Sequence, residues 1–186
     1  MIMEKFRFTE QFFIKGKIDN VSQVDTRLIK NHILSNFCLA NRMTNDQYWY
    51  LKDYVSVPYH QHIQWVQDYL RDHYRLEHGR TLVLLPKDGI RGIVQQTGEN
   101  VNTHNHIQDW HLADSPDVSC LYCVSTNEKP AEIIFEYDDG RNRHRRWKVP
   151  MEKDTFILFS SSLNHSISKN ENKDFLVNLS LHFQLI

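Results

Sequence analysis

From Arg80 onward the chain is a succession of short apolar and β-branched runs, at residues 82–85, 90–96, 118–124, 132–137, 145–149, 155–159 and 175–185. Turn residues separate them: Lys87-Asp88-Gly89, Thr97-Gly98, Asp138-Asp139-Gly140 and Pro150. Runs too short for helices and punctuated at this spacing predict an antiparallel sandwich or barrel. The first half reads differently. An opening strand or two is expected over 6–18, an amphipathic helix over 21–39 with Val24, Leu28, Ile29, Ile33 and Phe37 on one stripe, and a loop over 41–52. A second helix is expected over 58–77, with Pro58 in its first turn, Ile63, Val66, Leu70 and Tyr74 inward, and Gly79 as its stop. The predicted architecture is mainly β with N-terminal helices. Residues 1–79 pack on a β core formed by 80–186, in one domain.

Charge narrows the partners. Lys plus Arg number 22 and Asp plus Glu number 23, so no general basic field recruits nucleic acid or anionic lipid. No run approaches the roughly 20 apolar residues of a membrane span, and Met1 to Phe6 has no apolar signal core, so a cytoplasmic protein is expected. The basic run from Arg141 to Lys148 follows an Asp-Gly turn, which predicts a hairpin whose returning strand pairs with Glu132, Glu136 and Asp138. Its functional alternative is a patch guiding an anionic substrate.

The 3 cysteines are too few and too odd in number for a disulfide framework. Cys120 and Cys123 form a C-x-x-C within a predicted strand, where positions three apart face opposite ways, so they read as two buried thiols.

Among the 11 histidines are two H-x-H pairs. His60 and His62 fall in the second predicted helix, where positions i and i+2 lie roughly 200° apart, and are assigned to surface or packing. His104 and His106 stand at the mouth of a strand, where i and i+2 share a face, so both imidazoles can converge on one ion. Downstream, a strand over 155–159 with a short turn delivers His165. If that strand lies beside the one following the H-x-H, three imidazoles meet. Neutral nitrogen donors suit iron, zinc, copper or nickel rather than magnesium or calcium. Asp109 is the nearest carboxylate that could join or replace a ligand.

Several of these pieces recur together elsewhere. Gly98, Asn102-x-His104-x-His106, Ser119-x-x-Tyr122-x-Val124, Pro150-x3-Asp154-x4-Phe159-x5-His165 and Ser180-x-x-Phe183 together resemble the Fe(II)/2-oxoglutarate-dependent oxygenases. The likeness is to the small prolyl-hydroxylase-like branch with H-x-H in place of H-x-D, and it covers residues 90–186. It implies a double-stranded β-helix (jelly roll), Fe(II) held by His104, His106 and His165, and 2-oxoglutarate as cosubstrate. Open coordination positions would admit the 2-oxoacid and O2, and a small-molecule or peptide substrate would be hydroxylated.

The chain departs from the family in one place. The arginine expected two residues before Ser180 is Asn178, so the guanidinium clamp on the distal carboxylate of the cosubstrate is missing from its usual position. Asn178, Ser180 and His182 share one face of the last strand. Arg91 or Lys173 could supply a cation from another direction, and Tyr122 could donate a hydroxyl to a bound carboxylate or be packed core. Two other readings stay open: a cupin-like three-histidine enzyme that does not use 2-oxoglutarate, and a non-catalytic jelly-roll binding module.

Overall fold

The computed structural model describes residues 11–18, 24–43, 54–107, 112–125, 128–138 and 145–186. Among the described residues the strands are β1 (Phe13–Lys17), β2 (Tyr54–Ser56), β3 (Leu82–Leu84), β4 (Ile90–Gln95), β5 (Val101–His104), β6 (Val118–Cys123), β7 (Glu132–Tyr137), β8 (Arg145–Pro150), β9 (Thr155–Ser160), β10 (Asn164–Ile167) and β11 (Leu176–Leu185). Two helices, α1 (Thr26–Met43) and α2 (Gln61–His78), precede most of them.

The strands form two antiparallel sheets. The larger has the order β1-β9-β6-β11-β4-β2, with β3 also on β11, and the smaller has the order β5-β10-β7-β8. Alternation along the strands of the larger sheet separates two apolar layers. Val118, Cys120, Tyr122, Val177, Leu179 and Leu181 pack with Ile29 and Ile33 of α1 and Ile63, Val66 and Leu70 of α2. Leu121, Cys123, Ile157, Phe159 and Leu176 face Ile133, Phe135 and Val149 of the smaller sheet. Helices, larger sheet and smaller sheet are thus three successive layers. β6 and β9 are covered on both faces, and every one of their residues is buried. That double cover is why they read as near-continuous apolar runs.

Local chemistry sets the helix ends. Asp25 Oδ1 accepts the N–H groups of Arg27 and Leu28 at 3.0 and 3.1 Å, so α1 begins at Thr26 rather than at 21, and Val24 sits just outside it as a buried staple. α2 ends as expected on Gly79, whose φ of 69° lets its N–H close back onto the Arg75 carbonyl at 2.9 Å. It starts later than predicted. Pro58 precedes the helix, and His60 is an extended N-cap residue at φ −149° and ψ 168°. His60 and His62 therefore do not diverge as two helical positions would, and their ring centroids lie 5.8 Å apart.

Positions 6–10, 44–52 and 139–144 of the expected opening strand, loop and hairpin tip lie outside the described residues. The returning strand is in view: β7 and β8 pair from Glu132↔Pro150 to Tyr137↔Arg145, with Arg146 on Glu136 at 2.9 Å and Lys148 on Glu132 at 3.2 Å. Within the described part of the basic run, Arg146 and Lys148 are thus paired with acidic residues across the ladder.

Helix α1 crosses β4 at Gly92, where an added Cβ would lie 2.5 Å from Ile33 Cγ2 and 2.9 Å from Val55 Cγ2. Gly92→Ala is expected to destabilise the fold by about 1–3 kcal/mol through overpacking, read as a lower urea midpoint with an unchanged slope.

Candidate metal centre

Strand β10 lies between β7 and β5, and its register sets His165 directly opposite His104. The pairing is irregular between His165 and Ile167, a bulge that ends regular pairing at the histidine. β5 stops at His104, and His106 lies beyond it. The chain there turns under two constraints: Asn105 Oδ1 accepts the Ile107 N–H at 3.1 Å, and the His106 N–H donates to the Ser161 carbonyl at 2.9 Å. The H-x-H pair converges through a frayed strand end tied to the β9–β10 turn.

One potential ligand atom from each of His104, His106 and His165 falls within 4.8 Å of the others. The backbone also fixes two tautomers. His104 Nδ1 donates to the Asn102 carbonyl at 2.9 Å and His165 Nδ1 to the Leu163 carbonyl at 3.0 Å, leaving each Nε2 unprotonated. A carbonyl holding the remote N–H is the usual support of a metal-bound imidazole. The Tyr54 hydroxyl donates to His104 Nε2 at 3.1 Å. Tyr54 arrives on β2, which nothing in the sequence marked as a strand, and no motif singled it out.

A fourth imidazole, His182, packs edge-on against His106 with ring centroids 4.5 Å apart. Its Nδ1 meets Ser119 Oγ at 3.0 Å, its Nε2 meets Ser180 Oγ at 3.2 Å, and Ser119 Oγ meets Ser161 Oγ at 2.8 Å. This buried hydroxyl chain links the ring beside His106 to the turn that holds the His106 backbone. Phe159 closes the apolar side, its ring 4.6 Å from that of His165.

Burial keeps three of these rings, His106, His165 and His182, neutral. It lowers His165 to about 4, with His104 adding repulsion against the Leu163 carbonyl, which favours the charged form. It lowers His182 to about 3, helped by Arg91 and then His165 and His104. His106 is held well below the ordinary histidine value by burial first, then by His182, His165, His104 and Arg91. Neutral imidazole is the ligating form.

The remaining expected site residues divide. Arg91 lines a cavity of about 740 Å³ together with Tyr54, His104, His106 and His182. It stands opposite Ser180 in the β4/β11 pairing and meets Asp88 at 3.5 Å. Asn178 is fully buried on the inter-sheet face, and neither its Oδ1 nor its Nδ2 has a partner. Lys173 is exposed in the loop before β11 and does not line the cavity.

Tyr122 requires a correction. Strand parity turns it with Cys120 toward the helices, where its hydroxyl meets Asp154 Oδ1 at 3.4 Å, so it cannot serve a ligand between the sheets. The same parity puts Cys120 and Cys123 in different layers, as expected, and burial pushes both thiols up, Cys123 to about 12. Asp109, His111 and His144 lie outside the described residues.

No protein-family model and no curated protein matches the sequence. Solved structures do match. A prolyl-4-hydroxylase from Pseudomonas putida superposes with a TM-score of 0.59 at 10% identity, over 92% of this chain and 87% of that one. The non-heme alpha-ketoglutarate-dependent carbocyclase SnoK from nogalamycin biosynthesis gives 0.64 at 8% identity, over 94% and 79%. EctD from S. alaskensis, solved with 2-oxoglutarate and 5-hydroxyectoine, gives 0.60 at 13% identity, over 92% and 71%. At these identities the likeness is one of fold: the chain shares the fold of non-heme 2-oxoglutarate-dependent oxygenases, and its histidine cluster fits the H-x-H pattern.

Because the native state refuses protons that the unfolded chain binds near pH 6.5, metal-free protein should be most stable above that pH. Stability should then fall toward pH 4, by up to about 1.4 kcal/mol per pH unit for each buried histidine. Urea midpoints from pH 7.5 to 4 in chelator should show this slope, and His182→Gln should make it shallower.

Proposed function

We propose that the chain is an Fe(II)- and 2-oxoglutarate-dependent oxygenase, built as a single domain whose two sheets form a double-stranded β-helix. The supporting observation is the convergence of three imidazoles, two with Nε2 left unprotonated because Nδ1 donates to a backbone carbonyl. His104, His106 and His165 would hold the ion. Such a centre, when loaded, couples decarboxylation of 2-oxoglutarate to succinate with insertion of oxygen into a substrate C–H bond.

The chain's own groups prepare that site. Burial keeps His106 and His165 unprotonated, so the ion meets lone pairs rather than protons. The unpartnered Asn178 amide offers a donor between the sheets, and Arg91 offers a cation on the same face of the larger sheet, across from Ser180. Those groups fit a dicarboxylate, with the amide taking the slot where the resemblance expects a guanidinium. Phe159 and Phe135 shield the inner side of His165 from water.

On the open side, the cavity is lined by Asn100, Asn102, Asn105, Lys87, Arg91 and Gln184. This polar lining suits a small molecule or a peptide segment carrying hydrogen-bonding groups. No helix among the described residues is long and apolar enough to cross a membrane, in keeping with action in the cytoplasm on such a substrate.

The absence of a guanidinium at Asn178 favours a second reading, a three-histidine metal enzyme whose substrate ligates the ion directly. Titrating 2-oxoglutarate into anaerobic, metal-loaded protein separates the two. The oxygenase reading expects saturable binding and, with O2, succinate even without substrate. His165→Ala should lower succinate formation at least a hundredfold. Binding of neither 2-oxoglutarate nor Fe(II), with no succinate, would refute the reading.

A further inference from the structure

Three more imidazoles meet on the helical side of the molecule. His32 projects from α1, His60 caps α2, and His62 lies in the first turn of α2. The His32 and His60 rings are 4.9 Å apart at 79°, and those of His60 and His62 are 5.8 Å apart at 72°. A shallow cavity of about 390 Å³, bounded by Asp25, Arg27, Leu28, Asn31 and His32, opens beside them.

Hydrogen bonding leaves this cluster unfinished. Among the described residues, half of the buried side-chain nitrogens and oxygens without a partner are here: His32 Nδ1, His60 Nδ1 and His60 Nε2. A neutral imidazole has one N–H and one lone pair, so His60 satisfies neither from the protein. A bound electrophile would engage the imidazole lone pairs that the protein leaves unmet.

We infer that His32 and His60, joined by His62, form a second binding site for a borderline divalent transition metal such as Zn(II), Cu(II) or Ni(II). All three donors are neutral nitrogen, which selects these ions over calcium or magnesium. His32 and His60 are already adjacent. His62 joins by side-chain rotation, because among the described residues only the sheet-end triad holds three ligand atoms within 4.8 Å. Little restrains that rotation: His62 Nδ1 accepts the Asp25 N–H at 3.3 Å and its Nε2 lies 3.5 Å from Gln61 Nε2. The ion would tie α1 to the entry of α2, adding to the Asp25–His62 hydrogen bond and the His32–His60 ring contact.

Calorimetric titration of untagged full-length protein with Zn(II) tests this. Wild type is expected to take two equivalents, and His60→Ala and His165→Ala one each. His60→Asn, which keeps hydrogen-bonding capacity, serves beside His60→Ala, with far-UV circular dichroism to verify folding. Zn(II) should raise the melting temperature of His165→Ala but not that of the His60→Asn/His165→Ala double variant. Loss of an equivalent in the His60 variants with none lost in His165→Ala would uphold the helical site while sinking the sheet-end centre. If the folded His60 variants bind as much Zn(II) as wild type, and Zn(II) leaves the melting temperature of His165→Ala unchanged, the helical site does not exist.

Discussion

The pairing of β10 with β5 is the constraint on which the site depends. It sets His165 across from His104, two side chains far apart in the chain, and so fixes the imidazole pair to which His106 is added. Side chains alternate along a strand, so a one-residue slip would carry His165 to the outer face and leave the other two rings without it. Several features hold the register. β7 pairs β10 from its other edge, the Asn105 amide reaches Asn164 Oδ1 at 3.1 Å, and the His106 N–H is anchored on Ser161. The centre is set by backbone hydrogen bonds and only finished by side chains.

Placing four imidazoles within a few ångströms of one another is tolerable because burial holds three of them, His106, His165 and His182, in the neutral form. The serine chain from Ser180 through His182 to Ser119 and Ser161 satisfies the ring that is least available for ligation. A neutral ligand set also has an electrostatic consequence. In the proposed centre, three histidines would leave the full double charge of an ion such as Fe(II) uncompensated, which would draw carboxylates toward it more strongly than a set containing one acidic ligand. That attraction can offset part of what is lost when an amide stands at position 178, and Arg91, held loosely by Asp88, adds a second positive charge at the rim.

The solved structures that share this fold superpose over most of the chain, helices included, although the resemblance legible in the sequence covers only its β half. The two helices cover the outer face of the larger sheet, and the stripes that do so were clear in the sequence, with Ile29, Ile33, Ile63, Val66 and Leu70 all buried. Their exact starts were not, because Asp25 and the extended lead-in to α2 decide them through local hydrogen bonds that periodicity does not register.

Sequence alone determined the strand-rich second half, the helical stripes and the Gly79 stop, since each follows from a side-chain period or from the backbone needs of a single residue, and it singled out His104, His106 and His165 as candidates. Parity was legible where a polar face contrasted with an apolar one, as in β11, and illegible in β6, which is buried on both faces, so the outward turn of Tyr122 appeared only in the folded chain. β2 and its Tyr54, only three residues long and with no period to read, emerge from pairing with β4. The distance between His104 and His165, the hydroxyl chain around His182 and the meeting of His32 with His60 were decided by tertiary structure. All three are contacts between segments distant in the chain, and no local pattern encodes which edges will pair.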